Sequence, residues 1–195
     1  MDMSPHQPHR SREELHTEIE RWDAIAVHEP ELRGVFDLRK AESLLDDFVF
    51  REASLRPDDR IEVADIRLRG VLRDLSSHTR TLLEMVRAPE MIDFMRVVLG
   101  ERRYVEGAQI HRMPKGAHLP AHRHGDDDVF AIFHFAHDYQ GGAYFEERNG
   151  DVSYPVIPPY SLFISRGVIT HGVEPITAGE RIVLVTCWTP SSYKC

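Results

Sequence analysis

Residues 129–157, VFAIFHFAHDYQGGAYFEERNGDVSYPVI, contain short apolar runs that glycine, asparagine and aspartate interrupt. The runs are rich in β-branched and aromatic residues and have the length of β-strands. They are Val129–Ala136, Gly142–Glu146 and Val152–Ile157. Asn149-Gly150 predicts a tight hairpin turn, because both residues tolerate the positive φ that such a turn requires. This stretch therefore predicts consecutive antiparallel strands.

The same pattern extends on both sides of this stretch. Further β-rich runs occur at Val105–His111, Ser161–Ile164 and Arg181–Trp188. Regularly spaced short strands separated by turn residues are typical of sandwiches and jelly rolls. Residues 101–195 are therefore predicted to form a β-sandwich or jelly roll that is the core of the protein.

The first half of the chain has helical rather than strand periodicity. Residues 1–12 are polar and are predicted to be disordered. Helical spacing begins at Ser11 with a capping-box pattern and returns between residues 75 and 99, where Pro89 separates two helices. Residues 13–100 are thus predicted to be a helical portion packed on the core. The expected fold class is mainly β with N-terminal helices (α+β).

Charge and composition argue against several classes of partner. The 195 residues carry a formal net charge of −8, whereas nucleic-acid-binding proteins usually present a basic face. No apolar run reaches the roughly 18 residues of a membrane span, and the N-terminus lacks a signal-peptide pattern. The two cysteines make no disulfide framework. We therefore expect a cytoplasmic protein that binds neither nucleic acid nor membranes, and a homodimer is left open.

Histidines cluster in the predicted β portion, and histidine is the commonest metal ligand. His122, His124 and Asp126 alternate along an extended segment, so all three side chains can face one side. His171 ends another β-rich run. Two histidines and one carboxylate with open coordination positions favour non-haem Fe(II). The sequence therefore predicts His124, Asp126 and His171 as ligands, with His122, His124 and His171 as the alternative set.

Arg181 follows His171 by ten residues, beyond a turn at Ala178-Gly179. That turn is expected to return the chain to the same cavity. A guanidinium group can hold a carboxylate through two parallel hydrogen bonds. Arg181 is therefore a candidate for binding a carboxylate ligand near the metal.

These pieces together resemble the prolyl 4-hydroxylase-like branch of the 2-oxoglutarate/Fe(II)-dependent oxygenases. The resemblance covers about 80 residues. The pieces that carry it, in order, are His124-x-Asp126, Gly141-Gly142, Phe163-Ile164-Ser165, His171-Gly-Val-x-Pro175, Gly179-x-Arg181 and Trp188. One departure concerns Gly116, because the family often has a glycine six residues before the first iron histidine. In this chain six residues after Gly116 stands His122, so an alignment on Gly116 would give the alternative ligand set. The set with Asp126 is preferred, because it supplies the carboxylate that Fe(II) has in this family.

The resemblance implies a double-stranded β-helix (jelly-roll) fold for residues 101–195 and an enzyme that uses Fe(II), 2-oxoglutarate and O₂. It implies that His124, Asp126 and His171 bind iron and that Arg181 pairs with the distal carboxylate of 2-oxoglutarate. The implied reaction hydroxylates an unactivated C–H bond and forms succinate and CO₂. An Asp126 ligand would favour hydroxylation or desaturation over halogenation.

Several other residues on predicted strands are candidates for contacts with 2-oxoglutarate or substrate: Gln109, His111 and Tyr144. Glu146-Glu147-Arg148 is interpreted as an exposed hairpin end. The short chain favours a small-molecule substrate, such as a free amino acid or a natural-product intermediate. The alternatives are a cupin-like metal sensor, a three-histidine dioxygenase without 2-oxoglutarate, and a jelly roll that serves as an interaction domain.

Overall fold

The computed structural model describes residues 9–45, 48, 51–53, 61–66, 76–136 and 138–190. Within them, four α-helices precede or interrupt a series of strands. The helices are α1 (Arg12–Trp22), α2 (Leu38–Glu42), α3 (Ser77–Val86) and α4 (Pro89–Leu99), with a 3-10 helix at Glu29–Leu32. No helix of the described residues is long and apolar enough to cross a membrane.

The first strands lie in the N-terminal half, and the others follow α4. They are β1 (Ala24–His28), β2 (Arg51–Ala53), β3 (Ile61–Ile66), β4 (Tyr104–Pro114), β5 (Leu119–His122), β6 (Val129–His134) and β7 (Gln140–Gly141). The remainder are β8 (Tyr144–Arg148), β9 (Asp151–Ser153), β10 (Ser161–Arg166), β11 (Thr170–Val173), β12 (Ile176–Ala178) and β13 (Glu180–Thr189).

The strands form a large and a small antiparallel sheet, together with a two-stranded ribbon. The large sheet has the order β1-β10-β6-β13-β4-β3-β2, the small sheet the order β5-β11-β8-β9, and β12 pairs with β7. The expectation of a mainly β protein with N-terminal helices is therefore confirmed. The two larger sheets provide the surfaces between which a site can form.

Both faces of the large sheet are buried, because successive side chains on a strand point in opposite directions. On one face, Phe133 and Leu184 pack with helical residues such as Phe94 in one hydrophobic cluster. On the other face, Ile132 and Val183 pack with residues of the small sheet in a second cluster. The helices thus cover the outside of the large sheet, and the small sheet faces its inside.

Several local predictions are confirmed by backbone geometry. Ser11 caps α1 with a complete capping box. The helical run is interrupted before Pro89, and Gly100 ends α4 with a φ of 72°. Asn149 and Gly150 both have positive φ and connect β8 to β9, where Arg148 lies opposite Asp151.

The N-terminal half, predicted to be a helical portion packed on the core, also supplies three strands of the large sheet. β1 pairs with β10, and β3 pairs with β4. These strands are short, so five or six residues of alternating character do not distinguish a strand from a helix. Residues 1–8 of the segment predicted to be disordered lie outside the described residues. Arg10, in contrast, is held by Glu31 and Glu18.

Candidate metal centre

Three histidines meet at the open side of the space between the two larger sheets. The possible ligand atoms of His122, His124 and His171 all lie within 4.8 Å of one another. His122 ends β5 and lies directly opposite His171 of β11 in the antiparallel pair. Opposed residues of such a pair share a face, so the strand pairing itself brings these two imidazoles together.

Backbone carbonyls orient the rings of His122 and His171. The Nδ1 atom of His122 lies 2.8 Å from the Pro120 carbonyl oxygen, and that of His171 lies 2.9 Å from the Ile169 carbonyl oxygen. Because a carbonyl oxygen only accepts, each Nδ1 carries the proton and donates. With the proton on Nδ1, Nε2 is the ring atom through which each histidine can bind a metal ion, as in many histidine-ligated centres.

His124 reaches the cluster from the loop after β5 rather than from a strand. Its backbone N–H donates to the Gly167 carbonyl at 3.0 Å. The Phe130 ring packs on its imidazole with 3.9 Å between ring centroids. A side chain at Gly167 would collide with the backbone, because an added Cβ would lie 2.3 Å from the Gly125 oxygen. The loop therefore holds His124 through a close contact of two backbone segments.

Asp126, predicted as the carboxylate ligand, lies outside the cluster. Its side chain is 73% exposed and pairs with Arg123 at 2.6 Å. The described residues that converge are those of the alternative set, His122, His124 and His171. The reason is the turn at residues 126–127, which ends the extended segment before Asp126. The alternation that would have placed all three side chains on one side therefore stops at His124.

A cavity of about 120 Å³ extends inward from the three histidines. Its volume corresponds to roughly four water molecules. Its walls are mostly apolar and come from both sheets: Ile61, Leu119, Phe130, Ile132, Val173, Val183 and Val185. The polar groups that also line the cavity are Gln109, His111, Tyr144 and Arg181. The predicted contact residues are thus all present on the cavity wall, and Gln109 and His111 also contact each other at 3.1 Å.

Arg181 places a cation in this apolar cavity. The residue is 3% exposed, and its Nε–H has no hydrogen-bond partner among the described residues. Its Nη1 donates to the weak acceptor Met113 Sδ at 3.3 Å, and Tyr139 also hydrogen-bonds the guanidinium group. Burial lowers the pKa of Arg181, and the nearby Tyr139 opposes that shift. No described carboxylate pairs with this guanidinium, which is unusual for a buried charge.

Tyr144 presents a second buried polar group to the cavity. Its ring stacks on His171, with 5.6 Å between centroids, and its hydroxyl makes no hydrogen bond of normal geometry among the described residues. Burial raises the pKa of the Tyr144 hydroxyl, and the nearby Ser165 hydroxyl and Arg181 partly oppose this. The hydroxyl is therefore a neutral donor available to a ligand.

Glu146 was predicted to belong to an exposed hairpin end, but its side chain is buried. It is 4% exposed and lies directly opposite His171 in the pairing of β8 with β11. Its neighbour Glu147 is exposed, as predicted. Burial raises the pKa of the Glu146 carboxyl, and Arg148 partly opposes this.

Two residues that the sequence did not indicate also contribute to the site. Phe130 packs on His124, and Tyr139 lies close enough to Arg181 to influence its pKa. A period of two along β6 indicates only that Phe130 shares a face with Ile132. No signal in the sequence near Tyr139 connects it with Arg181, because the two residues lie on different strands or loops of the fold.

The donor set fits a first-row divalent metal together with a small dicarboxylate. Three imidazole nitrogens suit iron, zinc, copper or nickel, and three protein ligands leave coordination positions open. Among the described residues, the Nε–H of Arg181 and the Tyr144 hydroxyl are buried donors without a hydrogen bond of normal geometry, and a carboxylate would satisfy them. 2-Oxoglutarate has one carboxylate for such donors and a 2-oxo acid group for a metal.

Several solved structures have the same fold as this chain, although their sequence identity to it is low. No protein-family model matches the chain, and no curated protein matches its sequence. An oxidoreductase of the 2-oxoglutarate-Fe(II) oxygenase family from Burkholderia pseudomallei has a TM-score of 0.81 at 16% identity, over 94% of this chain and 93% of that one.

Two other structures cover nearly all of the chain. HygX from Streptomyces hygroscopicus, solved with nickel, 2-oxoglutarate and hygromycin B bound, has a TM-score of 0.68 at 12% identity, over 92% of this chain and 88% of that one. A Pseudomonas putida prolyl-4-hydroxylase has a TM-score of 0.62 at 13% identity, over 92% and 98%. The resemblance inferred from the sequence is thus confirmed for the fold: this chain has the fold of the 2-oxoglutarate/Fe(II) oxygenases, including prolyl hydroxylases.

Proposed function

We propose that the protein is an Fe(II)- and 2-oxoglutarate-dependent dioxygenase that hydroxylates a C–H bond of a small molecule, and that its two larger sheets form the double-stranded β-helix of that family. The observation that carries the proposal is the position of Arg181. A buried cation that no carboxylate of the described residues pairs with lines the same cavity as three converging imidazoles. A cupin-like sensor or an interaction domain would have no use for that guanidinium.

We propose His122, His124 and His171 as the ligand set, in place of the set with Asp126. The proposal is supported by the 4.8 Å cluster and by the spacing of six residues between Gly116 and His122. Iron, when bound, supplies the redox chemistry by which O₂ oxidises 2-oxoglutarate to succinate and CO₂ and adds one oxygen atom to the substrate. Because His124 occupies the third protein position, no position is vacated for a halide, and hydroxylation remains the expected outcome.

The chain's own residues bind and orient the co-substrate. Arg181 and Tyr144 would donate hydrogen bonds to the distal carboxylate, and the apolar wall would exclude water from it. A buried charge-assisted pair of this kind is stronger than its counterpart in water. The carbonyl-anchored rings of His122 and His171 keep the same Nε2 atoms directed toward the metal.

A small substrate is supported by one structural neighbour, whereas the size of the cavity suits the co-substrate. The cavity of about 120 Å³ is far below the 300–1,000 Å³ that drug-sized ligands usually occupy. It therefore suits the co-substrate, with the substrate at its mouth. HygX carries a natural product, hygromycin B, in addition to 2-oxoglutarate. We retain the predictions of a free amino acid or natural-product intermediate as substrate and of a cytoplasmic location.

The proposal is tested by isothermal titration of the nickel-loaded full chain with 2-oxoglutarate. Nickel is redox-inert here, so binding is measured without turnover. We expect saturable binding that glutarate, which lacks the 2-oxo group, reproduces only weakly. Binding of nickel with no binding of 2-oxoglutarate would contradict the proposal.

The second candidate is a three-histidine metal dioxygenase that does not use 2-oxoglutarate. The imidazole-only cluster favours it, because a carboxylate ligand is absent from the three residues that converge. The same titration separates the two candidates: nickel binding without 2-oxoglutarate binding supports the second one.

A further inference from the structure

One buried carboxylate beside the proposed metal centre has no role in the function described above. Glu146 lies opposite His171 on the adjacent strand, and directly opposed residues have Cβ atoms about 4.5–5.5 Å apart. Both residues are buried, and both point to the inside of the small sheet, as Tyr144 does. Glu146 therefore lies immediately beside a proposed ligand rather than at the hairpin surface.

The carboxylate of Glu146 is only partly compensated by its neighbours. Its Oε2 accepts from Arg148 Nη2 at 3.1 Å, but its Oε1 is buried and has no hydrogen-bond partner among the described residues. Arg148 is partly exposed and is shared with Asp23 and the Trp22 carbonyl. A buried carboxylate with one free oxygen is costly unless another cation comes close.

The proposed ligand set, in turn, carries no negative charge. Three imidazoles that donate Nε2 lone pairs are neutral, so a divalent ion among them keeps its full charge. The usual set with one carboxylate neutralises half of it. A carboxylate just outside the ligands can stabilise the bound ion and fix the ligand that it faces, and such partners matter for metal affinity.

We propose that Glu146 supplies the negative charge that the all-imidazole ligand set lacks, as a charge-balancing residue beside His171. This inference rests on the proposed function, because it needs a divalent ion among the three histidines. It explains why a carboxylate with one oxygen unpaired among the described residues is buried next to His171, which pairs with strands on both sides in the small sheet. It also places the negative charge on β8, whereas the sequence pattern predicted it at Asp126, close to His124.

The test compares nickel affinity, measured by isothermal titration of the full chain, among matched variants. Glu146→Gln preserves size and removes the charge, and it should weaken nickel binding by about 10-fold or more, within the 10- to 100-fold range of residues that support metal ligands. Glu147→Gln changes the neighbouring exposed carboxylate and should leave the affinity unchanged. Equal affinity of Glu146→Gln and the wild type would overturn the inference.

Arg148→Met separates charge from structure. This variant breaks the same ion pair but keeps the Glu146 carboxylate, so nickel should bind at least as tightly as in the wild type. A loss of affinity in Arg148→Met would show that the ion pair acts only structurally and would also overturn the inference. A wild-type chain that binds no nickel would instead contradict the proposed function, so the two failures are distinguishable.

Discussion

The histidine end of the cavity, here called the outer end, and the Arg181 end, here called the inner end, differ in charge and in how their polar atoms are satisfied. At the outer end, His122 and His171 are neutral and have their Nδ1 atoms satisfied by backbone carbonyls. At the inner end, Arg181 is charged, buried and without a carboxylate partner among the described residues. The outer end is thus preorganised at little electrostatic cost, whereas the inner end is costly until an anion arrives. The difference indicates that the inner end is electrostatically stabilised when an anion is bound and destabilised when the cavity is empty.

The largest effect is expected at the outer end, on removal of a ligand. His171→Ala should weaken nickel binding by more than about 100-fold, beyond the usual effect of supporting residues. Isothermal titration measures this. His118→Ala is the matched control, because His118 lies outside the cluster and should leave affinity unchanged. Similar affinities for both variants would remove His171 from the site.

A second large effect is expected at the inner end, where one substitution should lower the affinity for 2-oxoglutarate and raise the stability of the ligand-free protein. Arg181→Met should weaken 2-oxoglutarate binding to the nickel form by about 100-fold, since breaking a buried charged pair costs roughly 2–5 kcal/mol. The same change should raise the Tm of the ligand-free protein, by about 2–4 °C for each kcal/mol gained, because it removes an uncompensated buried charge.

Arg112→Met is the control for that pair of measurements. Arg112 forms a partly exposed ion pair with Glu180 at 2.6 Å and should affect 2-oxoglutarate binding little. A fall in Tm for Arg181→Met, with 2-oxoglutarate affinity unchanged, would show that Arg181 is a structural residue.

A smaller effect at the inner end should come from Tyr144→Phe. Loss of a hydrogen bond to a charged group costs about 1.5–3 kcal/mol, so 2-oxoglutarate affinity should fall by about 10-fold. Nickel affinity should stay the same, because the ring that stacks on His171 is retained. If both affinities fall together, the hydroxyl does not act on the co-substrate alone.

The smallest effect is expected for Asp126→Asn, and it sharpens the identity of the outer end. An exposed ion pair contributes at most about 1 kcal/mol, so nickel affinity should change by less than about 2-fold. A decrease of 100-fold or more would restore Asp126 as a ligand and would exclude the three-histidine set.

Much of the fold follows from local patterns in the sequence, and the exceptions have physical reasons. The capping box at Ser11, the break before Pro89 and the Asn149-Gly150 hairpin depend on neighbouring residues, so they were predictable. β1 and β3 are too short for their periodicity to be decisive, and only pairing with distant strands makes them strands.

The site shows the same division. His171 and Arg181 are fixed by a strand and a turn, and both line the cavity as expected. Asp126 lies outside the histidine cluster, because a turn that a spacing argument does not reveal ends the extended segment after His124. Phe130, Tyr139 and Glu146 acquire their surroundings from other strands or loops, which a pattern along one strand does not reveal.

Anaerobic titration of the full chain with Fe(II) and then 2-oxoglutarate tests whether one cavity holds a metal ion and 2-oxoglutarate together. We expect a visible charge-transfer band that appears only when both are present. The band should be absent from Arg181→Met at the same 2-oxoglutarate concentration. Folded wild-type protein that binds Fe(II) but gives no band at saturating 2-oxoglutarate would contradict the account.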